Sequence, residues 1–156
     1  MTGTFPNDDL PIVCDPSGIS DEQAKHWMAE IVPQVYKAVQ EIQELADGYK
    51  WRLPNDPAVL MLVAQDLNIE RLCCPFLRYT LEIEPGHGAF WLSMTGGAGA
   101  KDFLRMTYES FNMFDEAVAR AAGLNIASSK NLDTVEAVVE MTDSLNQQFA
   151  QAHKGV

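Results

Sequence analysis

The feature that most constrains the fold is a pair of alternating segments, RYTLEIE and AFWLSMT, separated by Pro85, Gly86, His87 and Gly88. In each segment apolar and polar residues alternate, which is typical of a strand with one buried face. Proline and glycine between two such segments are typical of a turn. The two segments therefore predict an antiparallel hairpin.

Helices and one more strand are predicted before this hairpin. A capping-box pattern at Ser20 begins a helix whose apolar periodicity continues to Asp47-Gly48, with a kink expected at Pro33. The alternation in GYKWRLP predicts a strand. A crossover helix then begins at Asp56 as the N-cap residue and has to end before Pro75.

The complete order is helix, strand, helix, strand, strand, helix, helix, because a helix from about Lys101 to Ala122 and a last helix near Asn131 follow the hairpin. This order predicts an α+β fold in which helices cover a small three-stranded mixed sheet. Residues 1–19 are rich in proline and glycine and predict an irregular arm, while residues 20–156 form one domain with a C-terminal helical pair from about residue 101. The candidate anchors of the arm are Leu10, Ile12 and Val13.

Charge and composition exclude some classes of function. The 156 residues include 22 acidic and 11 basic side chains, so the net charge of -11 disfavours binding to nucleic acids and to anionic membranes. The sequence carries no apolar run long enough to span a bilayer and no signal-peptide pattern, which predicts a cytoplasmic protein. In a reducing cytoplasm, the three cysteines are expected to be free thiols.

Two of these cysteines should lie at the same edge of the sheet as a glycine-rich turn. If GYKWRLP runs parallel to the strand at residues 78–84, the crossover helix returns its C-terminus to the edge where both strands begin. The return strand of the hairpin reaches that edge too, whereas His87 falls at the other edge, about 20 Å away. The residues predicted to meet are Cys73, Cys74, Thr95, Gly96 and Gly97.

This edge is the candidate site. Residues three and four apart share a helix face, so Glu70 lies beside both Cys73 and Cys74. Thiolates bind soft metals, and adjacent sulfurs suit mercury or trivalent arsenic better than structural zinc. We therefore predict a small cytoplasmic protein that binds a thiophilic metal or metalloid. The predicted metal ligands are Cys73, Cys74 and Glu70, and the predicted ligand-binding residues add Thr95, Gly96 and Gly97.

Two other functions remain open. Free cysteine is among the most buried residue types, so the pair could be inert packing in a structural or partner-binding module. A thiol-dependent enzyme ranks third, because a helix C-terminus beside a carboxylate disfavours the thiolate. No catalytic residue follows from the sequence, which on balance favours a protein without enzymatic activity.

From residue 70 to 104 the sequence reads ERLCCPFLRYTLEIEPGHGAFWLSMTGGAGAKDFL. From about Gly48 to Leu104 the chain resembles a group of small, uncharacterised bacterial proteins with an E-R-x-C-C-P-F core. That core is followed by a hairpin and a G-x-K-x-F-L-like helix start. The resemblance implies a shared signature, but no activity. The signature residues are Glu70, Arg71, Cys73, Cys74, Pro75 and Phe76, with Gly96 and Lys101 as further matches.

The two C-terminal helices carry more apolar residues than one stripe against a small sheet needs. A homodimer formed through these helices would bury the excess. The residues concerned are Met106, Phe111, Met113, Phe114, Val138, Val139 and Phe149.

Overall fold

The computed structural model describes residues 10–126 and 135–152. The predicted start of the last helix near Asn131 and residues 1–9 of the predicted arm lie outside this part of the chain. The elements in chain order are a 3₁₀ turn (Pro16–Gly18), α1 (Asp21–His26), a π-helical turn (Trp27–Ile31), α2 (Val32–Ala38), β1 (Glu41–Leu45), β2 (Gly48–Leu53), α3 (Pro57–Cys73), β3 (Arg78–Ile83), β4 (Phe90–Thr95), α4 (Ala100–Phe111), α5 (Glu116–Ala121) and α6 (Val135–Ala152).

The described residues form a four-stranded sheet in the order β1-β2-β4-β3, and every neighbouring pair is antiparallel. The fold is α+β, but the predicted three-stranded mixed sheet is wrong. The predicted hairpin is β3 paired with β4. Because β4 lies between β2 and β3, those two strands point the same way without pairing, and Gly48 and Arg78 both face Thr95.

Strand β1 occupies a segment whose periodicity predicts helix. The chain leaves α2 at Val39, whose backbone is extended, and Ile42 becomes the buried residue of β1. Asp47-Gly48 marks the hairpin between β1 and β2 rather than a helix end, since Leu45 pairs with Gly48 across a two-residue turn. At Gly48 a Cβ atom would lie 1.8 Å from the carbonyl oxygen of Met94, so only glycine fits this strand pair.

The N-terminal helical region contains one wide turn before Pro33. The Ser20 capping box is present, and it starts α1 as predicted. Proline lacks the N–H group that an α-helix needs at that position. The backbone responds with the π-helical turn, in which the Val32 N–H reaches back five residues to the carbonyl of Trp27. This turn places Trp27 next to α3.

The core lies between one face of the sheet and the helices. Tyr49, Trp51 and Leu53 of β2 are at most 1% exposed, and they pair with Met94, Leu92 and Phe90 of β4. A second cluster joins the end of α3 to α4 and α6. Its buried members are Ile69, Cys73, Cys74, Phe76, Ala100, Phe103 and Phe149.

The helical segment predicted from Lys101 to Ala122 is two helices. Helix α4 ends at Asn112, which takes a left-handed conformation with φ of 49°. Asp115 then begins α5, because its carboxylate accepts hydrogen bonds from the N–H groups of Ala117 and Val118. Among the described helices, none is both long and apolar enough to cross a membrane.

Candidate functional site

A cavity of about 90 Å³ lies between the N-terminal arm, the π-helical turn and helices α2, α3, α4 and α6. We call it the helical cavity. Its walls are mostly aromatic and aliphatic, with Glu70 as the acidic residue of the lining. The lining residues are Cys14, Trp27, Met28, Val32, Tyr36, Glu70, Cys73, Cys74, Phe103, Thr107, Phe111, Met113, Val138, Val139, Thr142 and Leu145.

One wall of the cavity is a disulfide between Cys14 and Cys74, which are 60 residues apart in the sequence. The prediction that all three cysteines are free thiols is therefore wrong, and only Cys73 is free among the described residues. The disulfide anchors the arm, and Cys14 is not among the anchors that the sequence predicted. Leu10 and Val13 are 36% and 48% exposed, while Cys14 is bonded to the end of α3.

Hydrogen bonds hold the arm on both sides of this disulfide. The side-chain amide of Asn146 on α6 donates to the Cys14 carbonyl at 3.0 Å and accepts from the Cys14 N–H at 3.3 Å. The Asp15 N–H donates to the Cys73 carbonyl at 2.7 Å. The arm is therefore attached to both α3 and α6, and it closes one side of the cavity.

The predicted metal site is not present. The Cys74 sulfur is bonded to Cys14, so the vicinal pair does not offer two thiolates. Within residues 10–126 and 135–152, no group of three or more His, Cys, Asp or Glu residues is arranged to hold a metal ion. The prediction of soft-metal binding through Cys73, Cys74 and Glu70 is wrong for this reason.

The remaining thiol, Cys73, is buried and protonated. Burial, followed by the negative charges of Glu70 and Asp15, raises the pKa of the Cys73 thiol from 9.0 to about 11. Since the thiolate is the nucleophile, this environment makes Cys73 a poor one at neutral pH. Cys73 acts here as a small apolar residue of the cavity wall.

Two carboxyl groups lie on the buried side of α3. Asp66 is only 1% exposed, and its Oδ1 accepts a hydrogen bond of 2.7 Å from Nε1 of Trp27. Its other oxygen, Oδ2, is buried, and among the described residues Glu70 is the further hydrogen-bond partner of this carboxyl group. Glu70 follows one helical turn later and reaches the cavity.

The pKa values of these two carboxyl groups depend on each other. Burial raises the pKa of Asp66 from 3.8 to about 6, although hydrogen bonds from Trp27 and Glu70 act in the opposite direction. Burial also raises the pKa of Glu70 well above its ordinary value, and the negative charge of Asp66 adds to the effect. Both carboxyl groups therefore hold their protons more tightly than exposed carboxyl groups do, and a hydrogen bond links them.

Three tyrosines surround the carboxyl pair from other elements. Burial raises the pKa of Tyr36, Tyr79 and Tyr108, and the charge of Glu70 raises each of them further. All three hydroxyl groups stay neutral at physiological pH. The Tyr79 hydroxyl is buried without a hydrogen-bond partner, whereas the Tyr108 hydroxyl contacts the sulfur of Met94 at 3.6 Å.

The structure separates the predicted site residues into two groups. Glu70, Cys73 and Cys74 line the cavity, but Thr95, Gly96 and Gly97 do not. The latter three lie at the sheet edge where β3 begins, as the geometry predicted. Thr95 pairs with Arg78, and a Cβ at Gly96 would lie 3.1 Å from the Phe76 carbonyl oxygen.

His87 lies at the other end of the hairpin, as expected from the length of the strands. Its carbonyl oxygen accepts a hydrogen bond of 2.6 Å from the Asn55 side chain, just beyond the end of β2. This turn is on the opposite edge of the sheet from Thr95. His87 is therefore not part of the candidate site.

The predicted site omits Asp66, Trp27, Tyr36 and Cys14. One signal in the sequence points to Asp66, because it lies on the same face of α3 as buried Val63 and Cys73. An acidic residue on an apolar helix face is a candidate for function. No family model matches the chain, and no curated protein or solved structure does either, so the function of this site has to be inferred from its geometry.

Proposed function

We propose that the protein binds a small, mostly apolar molecule in the helical cavity. The observation that carries this proposal is an apolar space of about 90 Å³ that is lined by Glu70, one helical turn from the buried carboxyl group of Asp66. Protein interiors are normally close-packed, and large apolar clefts with a few polar groups are typical of binding sites. The net charge of -11 favours ligands that are neutral or positive.

The size of the cavity restricts the ligand. An engineered apolar cavity of about 150 Å³ is known to accept benzene, so about 90 Å³ suits a small group or part of a single ring. The methionine side chains in the wall, Met28 and Met113, are flexible and adapt to the shape of a guest. The rest of a larger ligand would extend towards solvent.

Thiol catalysis is less well supported by the same site. The environment of Cys73 favours the protonated thiol, and the negative charge of Glu70 and Asp15 disfavours a thiolate there. A nucleophilic cysteine needs the opposite, a nearby cation or a helix N-terminus. In this proposal the disulfide has a structural role in the cavity wall. The cytoplasmic location of the protein stays a prediction.

The experiment is a binding titration with small aromatic probes, toluene and benzyl alcohol, followed by NMR and by thermal unfolding. We expect chemical-shift changes at cavity residues and a higher unfolding temperature, because a ligand that binds only the folded state stabilises it. Thr142→Leu places extra volume in the cavity and should abolish binding. The hydroxyl group that this change removes donates to the Val138 carbonyl within the same helix.

The matched control is Thr80→Leu, the same substitution at an exposed position of β3. It should leave binding unchanged. If the probes do not shift cavity residues of the unmodified protein, or if Thr142→Leu binds them as well as Thr80→Leu does, the proposal is wrong.

A further inference from the structure

We propose that the ligand of the helical cavity is a small organic cation: a protonated amine on an apolar body, with its ammonium group against Glu70. This inference rests on the cavity binding proposed above and adds the chemical class of the ligand. Three observations support it: the carboxyl pair has no positive partner among the described residues, aromatic side chains line the cavity, and the net charge of the protein is negative.

Among the residues that the structure describes, the carboxyl pair has no positive partner. Asp66 accepts one hydrogen bond from Nε1 of Trp27 and shares another with Glu70, and no positive charge is among the influences on its pKa. The influences that act on Glu70 are its burial and the negative charge of Asp66, and both disfavour its ionised form. Buried carboxyl groups are normally compensated by a cation or by several donors. An ammonium group supplies both, with one positive charge and up to three N–H donors.

Aromatic side chains beside Glu70 suit the same kind of ligand. Trp27, Tyr36, Phe103 and Phe111 all line the cavity. The face of an aromatic ring attracts a cation, and indole does so most strongly. The same rings pack against the apolar body of the ligand, so one wall can recognise both of its parts.

A bare metal ion does not fit this description. Among the described residues, no cluster offers three acidic, cysteine or histidine ligands, and the cavity wall is mostly apolar. An organic cation brings its own apolar surface and needs fewer protein donors. An anion is disfavoured both by Glu70 and by the net charge of -11.

Binding of an amine should release the proton that Glu70 holds. The ammonium charge favours the ionised carboxylate, so affinity should rise with pH as the carboxyl pair loses protons, and the pKa of its member Asp66 is raised to about 6. Titratable groups from several elements lie near Glu70, and of these Asp66 changes its charge near pH 6. They are Asp66 and Cys73 on α3, Tyr36 on α2, Tyr79 on β3 and Tyr108 on α4, with Asp15 acting on Cys73 from the arm.

The test compares benzylamine with benzyl alcohol by isothermal titration calorimetry. The two probes have the same shape, but only the amine is positively charged near pH 7. We expect the amine to bind about 10- to 100-fold more tightly, as a hydrogen bond to a charged group implies. Repeating the titration in buffers of different ionisation enthalpy should reveal release of about one proton per amine bound.

Glu70→Gln should remove the preference for the amine and the proton release, while benzyl alcohol still binds. Glu140→Gln, on the exposed side of α6, changes the net charge equally and should retain both effects. Circular dichroism checks the fold of each variant. If Glu70→Gln does not fold, Asp66→Asn provides the second variant, and it should weaken amine binding more than alcohol binding.

The outcomes separate the two proposals. If benzyl alcohol binds as tightly as benzylamine, or if Glu140→Gln weakens amine binding as much as Glu70→Gln does, the cation inference is wrong and cavity binding stands. If neither probe binds and no cavity residue shifts in NMR spectra, both proposals are wrong.

Discussion

At the scale of single residues, Asp66 shows how a binding site can reduce stability. Its carboxyl group lies on the buried face of α3, which it shares with the apolar residues Val63 and Cys73. Oδ1 accepts a hydrogen bond from Trp27, and burial raises the pKa of Asp66 to about 6. Residues that are unfavourable for stability and perturbed in pKa are typical of functional sites.

Asp66→Asn should make the protein more stable at alkaline pH. The folded state binds a proton at Asp66 more tightly than the unfolded state does, so its contribution is present below pH 3.8 and lost as the pH rises through about 6. Asparagine does not titrate, and its oxygen still accepts the hydrogen bond from Trp27. We expect a gain of about 1–3 kcal/mol in the free energy of unfolding at pH 8.

Urea unfolding at about pH 4 and pH 8 measures this effect. The control is Asp143→Asn at an exposed position of α6, which should change stability similarly at both pH values. A variant at Asp66 that loses stability at pH 8 would contradict the prediction, because it would mean that the ionised carboxylate is well accommodated.

At the scale of elements, the disulfide connects the arm to α3 and should dominate the stability of that contact. Cys14 and Cys74 are 60 residues apart, and a link of that span lowers the entropy of the unfolded chain. On the chain-entropy account, replacing both cysteines by alanine should cost about 4 kcal/mol. The change should also loosen the hydrogen bonds between Asn146 and Cys14.

Urea unfolding without reductant compares the unmodified protein with the Cys14→Ala, Cys74→Ala variant. Cys73→Ala is the matched control, because it removes a buried sulfur without cutting a link, and it should cost only about 1 kcal/mol. Addition of dithiothreitol should bring the unmodified protein close to the double variant. Equal stability of the control and the double variant would contradict this expectation.

The elements also show which parts of the fold the sequence predicts. The hairpin of β3 and β4 and the limits of α3 follow from local signals: alternation, the Asp56 cap and Pro75. Local signals do not predict strand β1, because Val39 and Ile42 also fit a helical spacing. The dipeptide Asp47-Gly48 is typical both of a helix end and of a hairpin turn. Pairing of Ile42 with Trp51 decides between them, and Trp51 is itself held by its pairing with Leu92 of β4, which is not a local contact.

The candidate site is also predictable only in part, where it depends on local spacing. Spacing on α3 identifies Glu70, Cys73 and Cys74 as neighbours, and they do line one cavity. The bond between Cys14 and Cys74 depends on the path of an irregular arm, which periodicity does not describe. That single pairing removes the second thiol and with it the predicted metal chemistry.

At the scale of the whole molecule, the homodimer through the C-terminal helices stays a prediction. Several of the apolar residues that suggested it are used within the chain: Phe111 and Met113 line the cavity, and Val138 and Phe149 are only 3% and 8% exposed. Val139 also lines the cavity, but it is 37% exposed on α6. A dimer would bury Val139.

Light scattering at micromolar concentration tests the dimer. We expect the mass of two chains, and Val139→Lys should convert it to the mass of one, because a buried lysine without a partner is costly. Met61→Lys, at a position of α3 that is 62% exposed, is the control and should leave the mass unchanged. A single chain in the unmodified protein would contradict the prediction.

The link between Cys14 and Cys74 also orders events while the chain is being synthesised. Translation adds about 5–20 residues per second, so Cys14 precedes its partner by about 3–12 seconds, given their separation of 60 residues. Cys73 is added immediately before Cys74 and is the first thiol that Cys14 can meet. Correct pairing therefore depends on the last turn of α3, which places both cysteines in one buried cluster but directs the bond with Cys14 to Cys74.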